Sequence, residues 1–61
     1  MKKYYIVHHL QLERWEPLAA NSTLEEVEKL FIAYKNNGYD RFLEVSEEIF
    51  RAVNSGKEIN L

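Results

Sequence analysis

Apolar and polar residues along this 61-residue chain change their period as they go. From Lys3 to Leu12, "KYYIVHHLQL", the run is rich in Tyr, Ile and Val and contains no Gly or Pro, which predicts a strand. Alternation sets Tyr4, Ile6, His8, Leu10 and Leu12 on one side, and Tyr5, Val7, His9 and Gln11 on the other. The first side reads as core and the second as half exposed. "ERWEPLAANST" follows, where Pro17 lacks a donor and suits an edge strand or a connection. Residues 14–20 read as extended and can fold back on the first strand as a hairpin, although no Asn-Gly or Asp-Gly marks the corner.

The period then becomes helical. Leu24, Val27, Leu30, Phe31 and Tyr34 recur at helical spacing behind a capping box, read as Ser22 with Glu25 or Thr23 with Glu26. Glutamates crowd the first turn, where the helix dipole favours them. "NNG" ends the pattern with Gly38 as the left-handed terminator. A helix over Thr23–Asn36 is expected.

"YDRFLEVSEEIFRAVNSGKEI" fits two periods. On a helical wheel Phe42, Leu43, Val45, Ile49, Phe50, Ala52 and Val53 share one half, and only Ser46 intrudes on it. Asp40 can cap such a helix and Gly56 can end it. A hairpin of "RFLEVS" and "EIFRAV", turning at "NSGK" into "EINL", is the alternative, but a Glu47-Glu48 turn needs a positive φ that glutamate resists. The expected fold is therefore a single α+β domain over residues 1–61: an N-terminal strand, with or without its hairpin partner at 14–20, followed by two amphipathic helices. The alternative is a β-α-β-β sheet with one helix. A lone strand with two helices leaves backbone groups unpaired, so it must pair with residues 14–20 or with a second copy, which points to a homodimer.

Size sharpens this expectation. A chain this short buries only about 60% of its unfolded surface, and below roughly 70–80 residues a lone core supplies only a few kcal/mol. Cysteine is absent, so no disulfide adds to it and no cysteine-rich metal site is available. Eight aromatics supply efficient core material. Net charge is −2, positive before residue 16 through Lys2, Lys3 and Arg14 and negative after it, with neither a basic patch of nucleic-acid strength nor an acidic tract. No apolar run reaches membrane-span length, and "MKKYYIVHHL" lacks a signal peptide's long apolar region, so a cytoplasmic protein is expected.

Chemistry is sparse. His8 and His9 are adjacent, so on a strand they face apart and cannot share one metal ion. A packed His8 and a solvated His9 are expected. No phosphate loop, nucleophile elbow or zinc motif is present. "NST" at Asn21–Thr23 matches a glycosylation sequon but reads as helix-capping residues. No catalytic group, metal or cofactor is expected. Trp15, beside Arg14 on a Pro-containing segment, is the best contact candidate, since binding hot spots favour Trp, Tyr and Arg. It would otherwise cover the open end of the core. Tyr39, in the turn before the last segment, comes next.

The strand-helix-helix order, with "NNGY" and "GYDR…SEEIFRAV" leading into the second helix, resembles ribbon-helix-helix DNA-binding proteins. The resemblance implies a dimer whose paired N-terminal strands touch DNA through Tyr5, Val7, His9 and Gln11, with Lys3 nearby. The chain departs from that family in its longer Arg14–Ser22 connection and in a second helix that starts later after the glycine. A further departure is the seven acids against four bases over residues 24–54, where phosphate contact needs the reverse. The expected function is a small non-enzymatic protein-binding module. It would be an accessory or inhibitory protein of the kind phages, plasmids and bacterial operons encode, modulating a partner with a basic surface through Trp15, Arg14, Tyr39, Tyr5 and His9. A dimeric ribbon-helix-helix transcriptional regulator is the alternative, and no membrane contact is expected.

Overall fold

A computed structural model describes residues 3–59 and shows an α+β fold in the order β1 (Tyr4–His9), β2 (Arg14–Ala20), α1 (Leu24–Lys35), β3 (Tyr39–Val45) and α2 (Glu47–Asn54). The strands form one antiparallel sheet in the order β2-β1-β3, so the N-terminal strand is central. β1 and β2 are a hairpin. Its corner lacks glycine, and Glu13 supplies the left-handed residue instead (φ 52°), its N–H donating to the His9 carbonyl at 2.9 Å. Pro17 lies on β2, an edge strand, where a missing donor is harmless.

The two helices cover opposite faces of the sheet. On one face α1 brings Phe31 to Phe42 (ring centroids 5.0 Å) and Tyr34 to Tyr39 (5.1 Å), with Phe42 in turn against Tyr5. On the other, Phe50 of α2 meets Tyr4 at 5.4 Å. Tyr4 and Tyr5 are strand neighbours and so point to opposite faces. The buried core is Tyr5, Ile6 and Val7 at mid-sheet with Val27 from α1 and Val53 from α2. Expected half exposure of Tyr5 and Val7 is thereby corrected: a second helix-covered face makes both sides of β1 interior. Leu10 and Leu12, expected in the core, are 59% and 54% exposed because the chain turns at residue 10 before they can join the strand.

α1 matches its sequence pattern. Thr23 rather than Ser22 is the N-cap, accepting from the Glu26 N–H while Glu26 accepts from the Thr23 N–H, a complete capping box. These Thr23 hydrogen bonds, that from its backbone N–H above all, hold the Glu26 carboxyl below its usual range. Asn36 is the C-cap, which puts Gly38 one position later than expected. Its φ of +94° and the closeness of the His9 ring, 3.2 Å from where a Cβ would stand, are what require glycine there.

The single helix expected over Asp40–Asn54 is instead a strand and a shorter helix. Asp40 is not its cap. Tyr39–Val45 takes the free edge of β1, and its apolar residues suit a strand as well as a helix. Ser46, the residue that intruded on the apolar half of the wheel, is the N-cap of α2 and accepts from the Ile49 N–H. The alternative is half right: "RFLEV" is extended, but "EIFRAV" is helical, and Lys57–Ile59 form no regular element among the described residues. Asn60, Leu61 and Lys2 lie outside those residues. α2 ends in a Schellman motif, with Gly56 N–H donating to the Val53 carbonyl and Lys57 N–H to that of Ala52.

This order departs from strand-helix-helix, and pairing of two N-terminal strands is closed off because both edges of β1 are occupied within the chain. The DNA-contacting face implied by the ribbon-helix-helix resemblance is also absent, since Tyr5 and Val7 lie under α1.

Candidate protein-binding surface

The hairpin end of the sheet gathers most of the residues singled out by sequence. A bulge makes this possible. β3 shifts register between His8, opposite Arg41, and His9, opposite Tyr39, leaving Asp40 unpaired. The extra residue sends Tyr39 to the α1 face and Arg41 to the α2 face, although regular alternation would place both on one side.

On the α1 face His9, Tyr39, Glu16 and Arg14 form one network. The Tyr39 hydroxyl donates to Glu16 Oε1 at 2.7 Å, and Arg14 Nε donates to Glu16 Oε2 at 3.2 Å. Tyr39's hydroxyl above all, with Arg14 assisting, holds the Glu16 carboxyl below its usual range. The same hydrogen bond, with partial burial, raises Tyr39. His9 packs edge-on against Tyr39 at 4.7 Å, and its Nδ1 accepts from the Leu12 N–H at 3.1 Å. His9 is thus half-buried and fixed, not solvated as expected.

On the α2 face His8 Nδ1 lies 2.7 Å from Asp40 Oδ1. An ionised carboxylate only accepts, so Nδ1 carries the proton. This hydrogen bond from His8 is the main reason the Asp40 carboxyl sits below its usual range. His8 stacks at 4.9 Å on Trp15, over whose ring the Arg41 guanidinium lies at 5.7 Å. The two neighbouring imidazoles are therefore held in opposite senses, one donating and one accepting through Nδ1.

Beside this cluster runs an open groove of about 710 Å³, bounded by Trp15 and Pro17 of β2, His8, Arg41, and Val53 with the segment after α2. Its charges are mixed, Arg14, Arg41 and Lys57 against Glu13, Glu16 and Glu58. No Ser, Thr or Cys side chain lines it among the described residues. No group of three metal-ligating side chains occurs among the described residues either.

Of the residues expected at an interface, Arg14, Tyr39 and His9 meet on one face, and Trp15 stands on the other at the same end. Tyr5 is core. His8, Glu16, Asp40 and Arg41 were missed. His8 carried a signal, as the one polar residue in an apolar alternation, but the bulge that recruits Asp40 and Arg41 leaves no mark in sequence. The opposite end differs in charge: both helices begin there, and Glu25, Glu26, Glu47 and Glu48 occupy their first turns. No family model, no curated protein and no solved structure matches this chain.

Proposed function

We propose that this chain is a non-enzymatic module that modulates a protein partner by binding it through the hairpin end. The observation behind this reading is the Trp15–Arg41–His8 stack beside a groove. It combines the side chains that dominate binding energy with a concavity that can take a partner's side chains. Arg41 and Trp15 are held by their neighbours, which lowers the entropy lost on binding. The acidic helix starts, at the other end, suit a basic surface on the same partner.

The test is capture of partners by the tagged chain, followed by titration of the recovered protein. Truncating a hot-spot residue typically costs 2 kcal/mol or more, so Trp15→Ala is expected to weaken binding by about thirtyfold or more. Amide spectra should keep the wild-type pattern away from the hairpin end. Glu47→Lys with Glu48→Lys should reduce affinity less, and more at low salt. Unchanged affinity in a folded Trp15→Ala variant would remove the hairpin end from the interface.

A further inference from the structure

The two outer edges of the sheet are not alike. β2 carries Pro17 and a register shift that leaves Leu18 unpaired, features that spoil an edge for further pairing. β3 is regular from Arg41 to Val45, and its outer edge has no strand beside it among the described residues. Leu43, mid-strand on the α2 face, is 41% exposed because α2 lies over β1 and β2. A large apolar residue is thus displayed next to an open row of backbone donors and acceptors.

We infer that the occupant of this edge is a second copy of the chain, paired antiparallel through β3 about a two-fold axis at Leu43, giving a continuous six-stranded sheet. Charge selects both partner and register. A two-fold axis normal to the sheet sets residue i opposite its own copy at the centre. An axis at Arg41 opposes two arginines and one at Glu44 opposes two glutamates, while one at Phe42 sets Asp40 against Glu44 of the second copy. Directly opposed like charges destabilise a strand pair. The axis at Leu43 opposes Leu43 to Leu43, Phe42 to Glu44 and Arg41 to Val45, with no like pair, over all five regular residues. Lys3 of the same copy lies 3.3 Å from Glu44.

Antiparallel pairing joins two small cores across the axis, one of the usual remedies for a domain this short. This pairing uses the edge of β3 and shares only Arg41 with the groove beside Trp15.

A cysteine-free chain makes the test direct. Sedimentation equilibrium of the wild-type chain should show a dimer, and Leu43→Lys should sediment as a monomer with an unchanged helix and sheet signature. Leu43→Cys should oxidise rapidly to a disulfide-linked dimer, since opposed antiparallel residues have Cα atoms about 4.5–5.5 Å apart, within disulfide reach. Glu44→Cys and Arg41→Cys should not, because their copies would stand more than about 7 Å apart at about 3.3 Å per residue. A wild-type monomer at millimolar concentration overturns the inference. So does oxidation of Glu44→Cys as fast as Leu43→Cys, which would place the axis elsewhere.

Discussion

The two ends of the sheet are built from the same strands by different means. At the helix-start end and mid-sheet, Tyr5, Ile6 and Val7 are sealed between helices and hold the fold by apolar burial. At the hairpin end the next two residues of the same strand, His8 and His9, are surrounded by Asp40, Trp15, Tyr39 and Arg14 and make directional contacts. One strand therefore passes from stabilising the fold to positioning a surface within a single step of the alternation. Charge changes along the same axis, from glutamates alone in the first turns of the helices to acids and bases together around the groove.

The strongest challenge to this contrast is at mid-sheet. Ile6→Ala should cost about 2–5 kcal/mol, comparable with the whole stability expected of so small a domain, so urea titration followed by circular dichroism should find it largely unfolded. Gly38→Ala attacks the other end: its φ of +94° and the His9 ring at 3.2 Å should together cost on the order of 1–2 kcal/mol and displace the His9 resonances, while the chain stays folded. Equal losses for the two variants would erase the distinction between the ends.

Tyr39→Phe refines it. Losing the hydrogen bond to Glu16 should cost about 1 kcal/mol near neutral pH, with a pH signature of its own. The Glu16 carboxyl is depressed in the fold, so its share of stability is present above the unfolded value of 4.5 and lost as pH falls through the folded one. Tyr39 is raised, so its share is full below the unfolded value of 10.0 and lost as pH rises through the folded one. The gap between wild type and Tyr39→Phe should therefore be widest between these values and close on both sides, which chemical denaturation at stepped pH would follow. The smallest effect is expected from Arg51→Ala. It breaks an exposed i,i+4 pair with Glu47 at 2.6 Å and should shift stability by only about 0.3–0.5 kcal/mol.

Legibility in the sequence follows the range of the interactions. α1 could be read with its cap because Thr23, Glu26 and the apolar stripe all act within the helix. β3 could not, because Phe42, Leu43 and Val45 satisfy both periods and the free edge of β1, far earlier in the chain, decides between them. Ser46 held the missing information: a polar residue inside an apolar arc, followed by two glutamates, is a helix start. At the candidate surface, residue types pointed to Trp15, Arg14 and Tyr39, while their assignment to two faces depends on the Asp40 bulge. Tyr5 was misplaced because a strand under one helix and a strand between two look alike at this length.

The central position of β1 also sets a schedule for synthesis. β1 leaves the ribosome before either neighbour, and its second edge is covered only when β3 has followed. Between completion of β2 at Ala20 and of β3 at Val45, translation at about 5–20 residues per second takes about 1–5 s. Over that interval the nascent chain has a two-stranded hairpin, marginal by itself in water, with Ile6 and Val7 unsealed. Slower decoding of residues 21–45 would lengthen the period in which this protein is open to chaperones, proteases or other nascent strands.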